Sequence, residues 1–240
     1  MDKLFSVSVI IPSYNRFQYL LRCIQSCQDQ TYKPYEIVVV NDGSTQIEYK
    51  SHNWDNVKII HLDQNSKELF GYGNVGYVRN IGIENSSGDY IAFCDDDDIW
   101  LPDKIELQVN ALSLEPKCDM CCTDGYIGSG IYQNNKNYKK YNKEYYYSII
   151  KKKYEKSKSK YMEDGYPKIW MLEFIKIHNC IITSSVLMKK SILTKINNMP
   201  YKKRGQDYLC WKNSMKFTDC VYVNRPCVYY DTNHGDGQNH

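Results

Sequence analysis

The 240-residue chain has no apolar run approaching the roughly 20 residues that a membrane-spanning helix needs. Met1-Asp2-Lys3-Leu4 runs straight into a strand-like segment, without the basic stretch and long apolar core of an export leader, so the expectation is a cytoplasmic protein. There is little net charge of either sign. At +3, the chain as a whole is expected to bind neither nucleic acid nor a membrane surface. The Cys118-Asp119-Met120-Cys121 spacing, with Cys122 beside it, has no second pair to complete a four-ligand zinc site. Without an export signal, the ten cysteines are expected to be small buried hydrophobes, not disulfides. Cys23 and Cys27 lie one helical turn apart, and Cys94 falls inside a strand-like run. No internal repeat is present.

What remains is the composition of an ordinary soluble domain, 42% hydrophobic and 25% charged. The first 115 residues alternate strand and helix. Val7–Ile11 reads as a strand ended by Pro12-Ser13-Tyr14-Asn15, and Phe17, Leu20, Leu21, Ile24 and Cys27 then mark one apolar helical face. Glu36–Val40 is a second strand closed by Asn41-Asp42-Gly43-Ser44, and Val57–Ile60 a third. A glycine-rich turn leads into a helix carrying Val78, Arg79, Ile81, Gly82 and Ile83, followed by a Tyr90–Cys94 strand. This alternation predicts an α/β fold with a mainly parallel sheet flanked by helices. The second half is less regular. Residues 136–160 hold ten lysines against two glutamates and read as an exposed excursion. Signals resume at Cys180–Ile182 through Val186–Met188. Gln206–Lys216 then reads as a helix, and Cys220–Tyr230 as a strand pair interrupted by Pro226.

Four aspartates, Asp95 to Asp98, stand between the Tyr90–Cys94 run and Ile99-Trp100-Leu101-Pro102. Adjacent carboxylates raise one another's pKa unless a cation compensates, and a hard divalent metal on oxygen ligands does so. A solvated acidic turn is the plainer alternative. Because parallel strands point the same way, the loops at Pro12–Asn15, Asn41–Ser44 and Asp95–Asp98 are expected to meet in one crevice. There Tyr14 offers an aromatic face, Asp42 an acceptor for a base N–H or ribose hydroxyl, and Arg79 a cation for a diphosphate.

The segments Ser8–Arg16, Glu36–Thr45, Arg79–Gly82, Gly88–Phe93 and Asp95–Lys104 resemble, in order and wording, the family 2 glycosyltransferases of GT-A fold. The likeness is near-continuous over residues 6–110 and resumes at Thr183–Leu187, at Gln206–Trp211 and faintly at Tyr229–Gln238. It implies one GT-A domain over residues 1–240, with a nucleotide-binding half (1–115) and a less regular acceptor-side half (116–240).

The implied activity is inverting transfer of a sugar from a nucleoside-diphosphate donor, most often a UDP-sugar, to a hydroxyl of a glycan, lipid-linked or protein-linked acceptor. The resemblance assigns Pro12, Tyr14 and Asp42 to the base and ribose pocket and Arg79 to the base or diphosphate. The D-x-D element falls on Asp95-Asp96-Asp97, with Mn²⁺ or Mg²⁺ on Asp97. Asp95 or Asp96 then holds the ribose or a metal-bound water, which leaves Asp95 a candidate for either. The proton acceptor is Asp207, preceded by Gln206 where the family carries Glu. His234 falls where the family carries a histidine that could reach the metal, and Asp231 where a cation is common. Asp98 reads as support behind the metal or as helix-entry polarity.

The excursion 136–160 is expected either to cover the acceptor, meeting an anionic acceptor or a membrane surface, or to be a solvated insertion. Sugar-nucleotide synthesis is a poorer match, since no glycine-rich phosphate loop follows the first strand. A non-catalytic polyanion- or nucleotide-sugar-binding protein on a degenerate transferase scaffold is the remaining alternative.

Overall fold

The computed structural model describes residues 5–233. The elements in chain order are β1 (Val7–Ser13), α1 (Phe17–Gln28), β2 (Glu36–Asn41), α2 (Glu48–Ser51), β3 (Lys58–His61), α3 (Ser66–Phe70), α4 (Val75–Glu84), β4 (Tyr90–Phe93), β5 (Ile99–Trp100) and α5 (Lys104–Leu114). They continue with β6 (Cys118–Gly128), β7 (Lys139–Lys140), a π-helix at Tyr141–Tyr146, α6 (Tyr147–Lys156), β8 (Ile169–Trp170), α7 (Leu172–Ile177), β9 (Leu187–Lys189), α8 (Lys190–Lys195), α9 (Gln206–Ser214) and β10 (Asp219–Asp231).

The sheet order is β3-β2-β1-β4-β9-β6-β10-β5, with β7 added beside β6 and β8 beside β10. β3, β2, β1 and β4 pair in parallel, as the β-α-β alternation predicts. Past β4 the sheet is mixed: β9 runs antiparallel to both β4 and β6, while β6 and β10 are parallel. Burial on both faces explains why the strands read as continuous apolar runs. Alternate residues of β1 feed two cores. Val9 and Ile11 pack with Leu20 and Ile24 of α1 and Ile105 of α5, whereas Ile10 packs with Val78 and Ile83 of α4 and Trp211 of α9. Gly82 lets α4 approach β1 closely, because a Cβ there would stand 2.5 Å from Ile10 Cγ2.

The structure corrects two expectations from sequence, at 220–230 and 136–160, and gives the Cys180–Ile182 signal its form. Asp219–Asp231 is one long strand, not a pair, and the register slips around Val223, Pro226 and Val228. Pro226 is tolerated there because an irregular position asks for no ladder N–H. Cys180–Ile182 is buried but forms no strand, and leads into a 3₁₀ turn at Thr183–Ser185. Residues 136–160 are only partly exposed. Ile150 and Tyr154 of α6 are fully buried, the Tyr154 hydroxyl donating to the Phe174 carbonyl. All ten cysteines are buried and unpaired. Among the described residues, no helix is long and apolar enough to cross a membrane.

Candidate active site

The loops after β1, β2 and β4 open on one edge of the sheet, and a staple joins two of them. Asn15, at φ +51°, adopts the left-handed conformation that asparagine tolerates. Its Oδ1 accepts the Thr45 N–H at 2.8 Å, and its own N–H donates to Ser44 Oγ at 2.9 Å. Beneath this edge lies a cleft of about 440 Å³. Pro12, Tyr14, Asp42, Arg79, Asp95, Asp96, Asp97 and Asp207 all line it, together with Arg16, Tyr141, Lys203, Arg204, Gln206 and Tyr230.

The four aspartates part company. Asp95 pairs with Arg79, whose side chain is almost wholly buried. Arg79 Nε and Nη1 have no hydrogen-bond partner. Asp96 is held from behind, accepting from Ser13 Oγ at 2.6 Å and from Arg16 Nη1 at 3.1 Å. Asp97 accepts from the same Arg16 nitrogen at 2.8 Å. Asp98 faces the interior, taking the Ser184 hydroxyl and the Asp231 N–H. It is 0% exposed, which makes it a tie between the acidic loop, the 3₁₀ turn and the end of β10.

Burial would by itself lower the Arg16 pKa, but the charges of Asp96 and Asp97 outweigh it and raise the value. Asp96 is raised by burial, and Arg16 and Ser13 oppose the shift. Burial, then the charges of Asp96 and Asp95, push Asp97 up to about 8 against the opposing pull of Arg16. Arg16 thus offsets only part of the burial and neighbouring charge that act on Asp97. Asp95 and Asp97 present hard oxygen donors on the cleft wall, and that donor set fits Mn²⁺ or Mg²⁺.

Asp42 is 5% exposed, and its oxygens accept the Ser66 N–H at 2.7 Å and the Ser66 hydroxyl at 2.6 Å. Burial nonetheless raises its pKa. The carboxylate is thus anchored by α3, and any ligand hydrogen bond uses its remaining lone pairs.

Asp207 sits in the first turn of α9, entered through Gly205 at φ +67°. A carboxylate is favoured at a helix N-terminus, and Thr183 Oγ1 donates to Asp207 Oδ2 at 3.3 Å. The Gln206 Oε1 beside it is buried without a partner. Asp231 does not stand in for a cation. Its Oδ1 accepts the Gly130 and Asn233 N–H groups at 2.9 Å each, closing the loop after β6. His234 lies outside the described residues.

Sequence reasoning missed Arg16, Lys203 and Arg204. Arg16 follows Asn15 at the start of α1 and carried no separate signal. Lys203 and Arg204 lie on an exposed loop whose approach to the cleft only the packing of α9 decides.

The same architecture recurs in a solved protein, TarS 1-349 of S. aureus in complex with UDP-GlcNAc. The TM-score is 0.69 at 20% identity, over 98% of this chain and 60% of that one. The fold is therefore the GT-A fold of glycosyltransferases. Residues 8–193 match glycosyl transferase family 2, and the chain belongs to that family. An uncharacterized glycosyltransferase of Rickettsia bellii is 41% identical over 107 residues, which are 43% of this chain and 14% of that protein. Another, from Haemophilus influenzae, is 41% identical over 106 residues, or 43% of this chain and 41% of that one. The matched part is less than half the length of either relative.

Proposed function

We propose that the cleft binds a nucleoside-diphosphate sugar, with UDP as the nucleotide, and transfers the sugar with inversion to an acceptor hydroxyl. One observation carries this reading: Asp207, 110 positions after Asp97 in sequence, lines the same cleft as the acidic strip. Family membership, and the UDP-GlcNAc bound by the structural neighbour TarS, support it.

In this reading Tyr14 and Pro12 border the base, and the spare lone pairs of Asp42 take a base N–H or ribose hydroxyl. Arg79, with two guanidinium nitrogens unpartnered, faces the diphosphate, and Asp96 and Arg16 brace the wall behind. Asp97, with Asp95, would hold Mn²⁺ or Mg²⁺. Such an ion, when bound, neutralises charge growing on the leaving phosphate oxygen. Asp207 takes the proton of the acceptor hydroxyl as its oxygen attacks C1 from the face opposite the diphosphate. The C1–O bond breaks and the nucleoside diphosphate leaves. Tyr141 and Tyr230, edge-to-face at 5.8 Å, flank the cleft as a surface for the acceptor's sugar or chain.

The test is a thermal-shift screen of nucleoside diphosphates and nucleotide sugars, with and without Mn²⁺. A ligand at 100 times its Kd adds about 2.7 kcal/mol. UDP and UDP-sugars should stabilise the protein, more so with Mn²⁺. No response to any nucleotide, beside salt-sensitive retention on polyanions, would favour a polyanion-binding protein instead.

A further inference from the structure

On the α1 side of the sheet, directly behind the acidic loop, Cys23, Cys27 and Cys94 bring their sulfurs together. The three Sγ atoms lie within 4.8 Å of one another, and all three residues are 0% exposed. Cys23 Sγ stands 3.4 Å from Cys94 Sγ and 3.4 Å from the Asp95 carbonyl oxygen. A tetrahedral site with metal–sulfur bonds of about 2.3 Å separates its sulfurs by roughly 3.8 Å. Small side-chain movements reach that spacing. Among the described residues, no other trio of Cys, His, Asp or Glu ligand atoms is so close.

A second observation points the same way. Lys104 is 0% exposed, its Nζ donating to Gln108 Oε1 at 2.8 Å and lying 3.8 Å over the Trp100 ring. None of the ion pairs of the described residues includes it. It is near enough for charge to be felt from Cys94 and Cys27 of the trio, and also from Cys227 and Cys121 outside it. A buried ammonium without an anion is costly, and cysteines that bind a metal do so as thiolates, the anions such an ammonium needs. Three thiolates, one divalent cation and one ammonium sum to zero charge.

We propose that Cys23, Cys27 and Cys94 form a binding site for a thiophilic divalent cation of the zinc class. Lys104 is its balancing charge, and the Asp95 carbonyl oxygen, 3.4 Å from Cys23 Sγ, borders the site. Soft sulfur ligands separate this site from the carboxylate-lined cleft, which suits Mn²⁺ or Mg²⁺. It binds α1 to the end of β4 and holds the backbone from which Asp95 springs. The proposal stands whether or not the cleft transfers sugars.

The test is titration of the full chain, stripped with chelator under reducing conditions, with Cd²⁺ as an ultraviolet-active probe. The expected result is a sulfur-to-cadmium charge-transfer band that saturates at one equivalent, is abolished by excess Zn²⁺ and is untouched by Mn²⁺. Cys27→Ser should lose that saturation, Cys118→Ser should keep it, and Lys104→Met should weaken Cd²⁺ binding about 10–100-fold. Absence of the band in folded wild-type protein overturns the site without recourse to any variant. So does a band that survives Cys27→Ser at one equivalent.

Discussion

Arg16 Nη1 lies 2.8 Å from Asp97 Oδ2 and reaches Asp96 Oδ1 at 3.1 Å with the same nitrogen. One guanidinium thus spans two carboxylates that would otherwise repel each other in a largely buried wall. Removing it strands both. Arg16→Met should cost about 3 kcal/mol, the lower end of the range for a broken buried pair, because part of Asp97 faces the cleft. Denaturant unfolding measures this, and an unchanged midpoint would show that the pair contributes nothing.

The raised pKa of Asp97 makes the metal-free protein pH-sensitive. Its carboxyl, ordinarily at 3.8, is held at about 8 in the fold. Between those values the unfolded chain has lost a proton that the folded chain keeps, so stability falls as pH rises from about 4 to about 8. Melting temperatures in chelator should fall accordingly between pH 5 and 8, and Asp97→Asn should flatten the slope. Stabilisation by Mn²⁺ should be larger at pH 8 than at pH 5.5 in the wild type and absent in the variant. An identical slope in both proteins would count against this assignment.

Asp207→Asn should separate binding from turnover. General-base assistance contributes roughly 10²–10⁴-fold, so the rate of sugar transfer should drop by about that much while affinity for the nucleotide stays within a few-fold. Calorimetry and a product assay on the same sample check both halves. Lost binding with turnover spared at saturation would reverse the proposed role.

Tyr141→Ala tests the acceptor side. If this ring contacts the acceptor, KM for the acceptor should rise while slow hydrolysis of the donor persists at its former rate. Deleting residues 136–160 is a poorer probe than sequence alone implies, because Ile150 and Tyr154 belong to the core.

Gly82→Ala concerns packing alone. The added methyl group would meet Ile10 Cγ2 at 2.5 Å and Val40 Cγ2 at 3.3 Å, an overpacking that costs about 1–3 kcal/mol. The melting temperature should fall with nucleotide affinity unchanged. An unaltered melting temperature would mean that α4 can move off the sheet freely.

Much of the first half of the chain could be read from its residues. Val7–Ile11, Glu36–Val40 and Tyr90–Cys94 are apolar runs of strand length, and a sheet covered on both faces demands such runs. The loop chemistry at Tyr14, Asp42 and Asp95–Asp97 followed from where parallel strands end. The second half resisted because its order comes from contacts between distant segments. Tyr154 is buried by Phe174, the short β9 is inserted between β4 and β6, and Pro226 sits in a slipped register that no local pattern announces.

Periodicity and composition determined the β-α-β order, the grouping of three loops on one sheet edge and the presence of an acidic strip, since these depend on local burial and chain direction. Tertiary structure alone decided where each aspartate lies. Consecutive side chains around a tight loop point in different directions, so Asp98 ends inside, Asp96 against Ser13, and Asp95 and Asp97 on the cleft wall beside Arg79 and Arg16. Packing also brought Asp207 to that wall and Cys94 to Cys23 and Cys27. Proximity between residues far apart in sequence is set by the closure of the core, not by any one stretch of chain.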